Sequence, residues 1–203
     1  MAGKRIGLFA TLMGFALMCA AGCELGTVDQ GRVVKYDRDK RQVTIIRDSA
    51  SDPKNPQYDH LPPLTYELPD KASETGPEPT AGGRLKLDTK NRQIVIYDDA
   101  AKNFRTIEYT LIDQRENVSA SDPAVFDRSE GRPVRFPVVD REKKTISIYS
   151  ATQKMLVTFS LPEEYFSLPD HTWEAGDVVR IYYKKEGKAE RFMNVSKTDI
   201  YKK

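Results

Sequence analysis

The stretch Val33-Val34-Lys35-Tyr36-Asp37-Arg38-Asp39-Lys40-Arg41-Gln42-Val43-Thr44-Ile45-Ile46 decides the fold. A short apolar run ends at Asp37, a charged cluster follows, and β-branched residues return with period two. That is the pattern of a β-hairpin with a charged tip. Asp37 suits the start of the turn because its carboxylate can accept from backbone N–H groups just ahead of it. The pattern recurs over residues 84–97 and 136–149, at offsets of 51 and 52 residues. Asp37, Asp88 and Asp140 coincide, as do Arg41, Arg92 and Lys144. Gly-Arg accompanies each copy, at Gly31-Arg32, Gly83-Arg84 and Gly131-Arg132. Turn chemistry alone accounts for charged tips, so they are read as solvated turns rather than cation or phosphate sites.

A third strand follows each hairpin, at 64–68, 104–112 and 155–161, again by alternation. Residues 51–63 and 69–83 are rich in Pro, Gly, Ser and Asp and read as linkers, and 113–132 as a polar loop. The fold class is therefore all-β, with three repeated hairpin-plus-strand units. Three copies are too few to close a propeller.

The C-terminal third has more structure. After the third unit, Pro162 to Trp173 is irregular, with a short helical turn at Glu163–Phe166. Gly176-Asp177 then opens a strand at Val178, and Gly187 separates it from a last strand. Three strands, a non-strand insert and two strands resemble an OB-fold, a five-stranded Greek-key barrel. The resemblance implies that the third unit is completed into a small OB-like β-barrel. Val179, Ile181 and Tyr183 would face its interior, and Arg180, Tyr182 and Lys184 would face out. Those three outward residues and Trp173 are the candidate binding residues. An aromatic among cations can stack a ligand, although an amphipathic strand and a core tryptophan explain the same residues.

Lys4 and Arg5 precede an apolar run from Ile6 to Met18, and Ala20-Ala21-Gly22-Cys23 follows. This is the layout of a secretory signal. The segment resembles the lipobox of bacterial lipoproteins, usually Leu, small, small, Cys; here Ala20 stands at the Leu position. The resemblance implies acylation of Cys23, a signal peptide over 1–22 and a lipidated tether over 23–30. A β-repeat region over 31–128 and an OB-like barrel over 129–203 complete the expected organisation. Glu24, where Asp tends to retain lipoproteins at the inner membrane, points to the outer membrane, facing the periplasm.

Of 32 basic residues, Lys4 and Arg5 leave with the signal, so 30 basic residues face 30 acidic ones. A neutral mature chain argues against a nucleic-acid partner. The two cysteines are Cys19 and Cys23. With Cys19 removed and Cys23 acylated, no thiol chemistry or disulfide remains. His60 and His171 are the two histidines, too few for His- and Cys-based metal sites, so no metal or cofactor is expected. No Gly-x-Ser-x-Gly, Ser-x-x-Lys, His-Glu-x-x-His or phosphate-loop motif occurs, and no enzyme is expected.

The Val138-Val139-Asp140-Arg141-Glu142-Lys143 hairpin and the Arg191–Asp199 ending resemble an uncharacterised family of bacterial lipoproteins, which implies no activity. The expectation is a membrane-tethered, non-catalytic envelope module that binds another envelope protein. The alternative is a small-ligand carrier or enzyme with a pocket at the barrel mouth.

Overall fold

The computed structural model describes residues 25–50 and 55–198. Cys23 and the expected signal lie outside them. The described residues contain no α-helix.

Each of the three expected units is an antiparallel meander. The first comprises β1 (Thr27–Asp37), β2 (Gln42–Arg47) and β3 (Leu64–Glu67). The second comprises β4 (Arg84–Asp88), β5 (Gln93–Asp98) and β6 (Asn103–Glu108). Then come β7 (Thr110–Arg115) and a two-residue pair, β8 (Phe126–Asp127) with β9 (Arg132–Pro133). The third unit comprises β10 (Val138–Asp140), β11 (Thr145–Ser150) and β12 (Met155–Ser160). The chain ends in a hairpin of β13 (Val178–Lys185) and β14 (Lys188–Asn194).

Six hairpins share one turn. Four residues link the strands in β1–β2, β4–β5, β5–β6, β8–β9, β10–β11 and β11–β12. The last of the four has positive φ in every case: Arg41, Arg92, Lys102, Gly131, Lys144 and Lys154, at 51–64°. The residue before the loop accepts backbone N–H groups inside it. Asp37 accepts from Lys40 at 3.0 Å, Asp88 from Asn91 at 2.9 Å and Asp140 from Lys143 at 2.9 Å. Asp98 and Ser150 do the same for Ala101, at 3.1 Å, and Gln153, at 3.3 Å. Each carboxylate thus satisfies donors that the strand ladder leaves unpaired.

The third unit is not completed into a barrel. The β13–β14 hairpin instead closes on the first unit, giving a mixed five-strand barrel of order β1-β13-β14-β3-β2. The β14–β3 contact is parallel and the others antiparallel. Two physical reasons decide this. The free edge of β12 is already paired with β7. The apolar face of the third unit is also already used: Ile146, Ile148, Val157 and Phe159 pack against Ile94, Ile96 and Ile107 of the second unit. The inward residues of the last hairpin, Val179, Ile181 and Phe192, find Val33, Val43 and Ile45 instead.

β6 and β7 run on through Tyr109, which carries the chain from one sheet to the next. Its ring lies 4.5 Å from that of Phe159, and its N–H donates to the Arg92 carbonyl at 2.9 Å. Part of the expected 113–132 loop is therefore strand β7.

The 69–83 linker is pinned along the barrel. Gly76 N–H donates to Phe192 O at 2.9 Å, and Glu74 pairs with Arg191 at 2.7 Å. Asp177 accepts from Thr80 N–H at 2.8 Å and from the fully buried Asn194 amide at 2.9 Å. Val33 O accepts Gly82 N–H at 3.1 Å and is crossed by Gly176, where a Cβ would lie 1.8 Å from that oxygen. Glycine is required there by close backbone approach.

Candidate binding groove

On the outside of the barrel, Thr44 of β2 and Thr65 of β3 stand side by side, their hydroxyls 2.9 Å apart. Ile46, further along the same outer face, is fully buried beneath Leu85 and Tyr97 of the second unit. The second unit therefore leans on one end of the β2 face and leaves the other end open. The β5–β6 tip overhangs that open end. The result is a groove of about 340 Å³, with Thr44 and Thr65 in it and Lys35, Asp37, Asp99 and Lys102 around it.

The charges of the groove come from two different tips. Lys102 Nζ bonds Asp99 at 2.6 Å, which holds the Asp99 carboxyl below the usual range and raises the Lys102 ammonium. The Lys40 amide does the same for the Asp37 carboxyl, helped by the Lys40 ammonium at 3.5 Å. Asp37, Asp99 and Lys102 are therefore ionised at neutral pH. Lys35 makes no ion pair within 4.0 Å among the described residues, and its charge also favours the Asp99 carboxylate. Tyr97 closes the inner end, packed edge-on against Phe104 with ring centres 6.5 Å apart. The groove offers hydroxyl, amide and charged groups of both signs on a firm apolar footing. It suits a polar ligand or a protein surface. Among the described residues no three His, Cys, Asp or Glu side chains form a metal-binding group.

A family model described as Domain of unknown function (DUF4881) matches residues 24–203. The chain belongs to that family. No curated protein and no solved structure matches it.

Within this DUF4881 chain, the residues singled out from sequence fall in two places. Arg180, Tyr182 and Lys184 share the outward face of β13, while Val179 and Ile181 are fully buried on the inward face. Arg180 Nε donates to Gln30 at 2.7 Å. The Tyr182 ring covers Gly26, where a Cβ would meet the ring at 2.2 Å, so one of its faces is occupied. Trp173 stands apart from them, fully buried in the core beneath the second and third units. Its backbone carbonyl accepts from Arg84 Nε at 3.0 Å.

A second polar cluster lies inside the barrel. Asp29 on β1 points inward and is 5% exposed. The Tyr66 hydroxyl donates to it at 2.5 Å, and the Tyr183 ring lies 5.2 Å from that of Tyr66. Arg47 approaches Asp29 to 3.9 Å at the barrel mouth, beside a cleft of about 440 Å³. Burial, then the bond to Asp29, push the Tyr66 hydroxyl upward from its ordinary pKa. Sequence reading passed over Asp29 because it sits in the stretch assigned to the tether. Its alternation with Gly31 and Val33 was the available signal.

Proposed function

We propose that the chain is a membrane-tethered, non-catalytic module of the bacterial cell envelope whose groove over β2 and β3 binds another envelope component. The observation that carries this reading is the groove itself: tips from two separate sheets converge over one open face of the barrel. The strand order also fits an OB-like barrel, in which a meander is closed by a hairpin. Such barrels use the face of their second and third strands, flanked by loops, for ligands. Here that face is β2–β3. The tether reading is supported by the lipobox-like Ala20-Ala21-Gly22-Cys23 and by a family match that opens at residue 24. The outer membrane, facing the periplasm, is the compartment that Glu24 favours.

A photo-crosslinker at Thr44 tests the groove, with one at the exposed tip residue Glu130 as control. The expected result is one envelope component captured from Thr44 in stoichiometric yield, and lost when Lys35→Glu is added. Equal capture from both positions, or none from Thr44, overturns the groove. Cys23→Ala protein that still fractionates with membranes overturns the lipid anchor.

A second reading, carriage of a small ligand at the barrel mouth, draws support from the cleft beside Asp29 and Arg47. A small molecule that copurifies with the protein and is lost in Arg47→Ala would favour it.

A further inference from the structure

β1 and β13 form a ladder whose outward residues pair across the strands. Gln30 faces Arg180, Val28 faces Tyr182, and Thr27 neighbours Tyr183. Gly26, just before β1, lies against the Tyr182 ring, and Leu25 precedes it. Leu25 is 93% exposed and Val28 58% exposed, two of the four large apolar residues most open to solvent among the described ones. Lys184, Lys185 and, across the turn, Lys188 are also exposed. Glu186, Glu190 and, beside Lys188 on β3, Glu67 are the acidic groups among them. One end of the barrel thus carries two bare apolar side chains, a tyrosine and a cluster of cations.

We propose that this end of the barrel, formed by Leu25, Val28, Arg180, Tyr182, Lys184 and Lys185, rests on the surface of an anionic lipid bilayer. The proposal depends on the lipid-anchor reading of Cys23. Leu25 lies two positions after Cys23, a reach of at most about 7 Å at 3.3–3.6 Å per residue. A lipid on Cys23 therefore brings Leu25 to the headgroups however the intervening chain is arranged. The surface met there is matched to that position. Apolar tips enter the boundary between headgroups and acyl chains, a tyrosine spans apolar and polar zones, and long lysines keep their charges at the phosphates. A basic cluster beside an acyl anchor adds electrostatic attraction, about fivefold in partition for each cation at the surface.

Lysine footprinting of the purified full-length processed protein tests this, in vesicles of phosphatidylcholine alone and of phosphatidylcholine with phosphatidylglycerol. Lys184 and Lys185 are expected to lose reactivity several-fold relative to Lys90 in the anionic vesicles only, with high salt restoring it. In the Lys184→Glu, Lys185→Glu double variant, the protection of Lys188 is expected to disappear. Equal labelling in both vesicles, or protection of Lys188 unchanged in the double variant, overturns the proposal. The mass of the Cys23 peptide reads the anchor separately. An acylated peptide with no protection fails this proposal alone. An unmodified cysteine without protection fails both readings. Protection with an unmodified cysteine keeps the bilayer face and fails the anchor.

Discussion

The Tyr66 hydroxyl donates to the Asp29 carboxylate at 2.5 Å across the barrel interior, joining residues 37 positions apart. The pair links β3 to β1, strands that are not neighbours in the sheet. It therefore braces the barrel through its middle rather than along its ladder. The bond also keeps a buried carboxylate satisfied, the condition under which such a group is tolerated.

Tyr66→Phe is expected to destabilise the protein by about 2–3 kcal/mol, because it strips a donor from a buried carboxylate. Alkaline pH should act on the same pair. Tyr66 holds its proton more tightly when folded than at its ordinary pKa of 10.0. The folded state then binds a proton that the unfolded chain releases. That share of stability is complete below pH 10 and drains away as pH rises further. Urea denaturation between pH 8 and 11 checks both points. A variant as stable as the parent, or with the same alkaline slope, would contradict them.

Gly176→Ala is expected to cost about 3 kcal/mol, since the added carbon would press on the Val33 carbonyl and backbone would have to move. Gly131 makes the useful comparison. It has φ of 64° and nothing within 4 Å, so Gly131→Ala meets only conformational strain, about 1–2 kcal/mol. Thermal unfolding of the two variants should rank Gly176→Ala lower. The reverse order would mean that the crossing beside Val33 is not tight.

Acid should weaken the hairpin tips. The Asn91 amide, then Lys86 and the Asn91 side chain, hold the Asp88 carboxyl down at about 2, from 3.8. A depressed carboxyl stabilises the fold fully above its unfolded pKa, and the gain is lost as pH falls from about 3.8 towards 2. Asp88→Asn keeps a turn acceptor and removes the titration. Its stability should fall less steeply between pH 4 and 2, with little change at neutral pH. Carbon-detected NMR titration of the parent should place Asp88 among the last carboxylates to protonate. An ordinary midpoint near 3.8 would refute the assignment.

Much of the local structure could be read from the chain before folding. The offsets of 51 and 52 residues marked three meanders, and all three form. Asp37, Asp88 and Asp140 were read as turn acceptors, and each accepts a loop amide. Three further copies of the turn end at Lys102, Gly131 and Lys154: Ala100-Ala101 and Ala151-Thr152 lack the charge run of the repeat, and residues 128–131 fall within the polar stretch 113–132. The groove was not legible. Thr44, Thr65, Asp99 and Lys102 carry no motif, and only the packing of one unit against another assembles them.

By itself the sequence determined what depends on neighbours along the chain. Alternation placed the strands, aspartates with turn geometry placed the tips, and residues 178–185 sorted into an inward and an outward face. The tertiary structure alone decided which edges meet. The pattern of three strands, an insert and two strands was present, but the three strands that join the last hairpin are the first unit rather than the third. Period-two patterning says that a strand has an apolar face, not which other face will cover it. That choice rested on competition: β7 took the edge of β12, the second unit took the apolar face of the third, and the first unit was left to close the barrel.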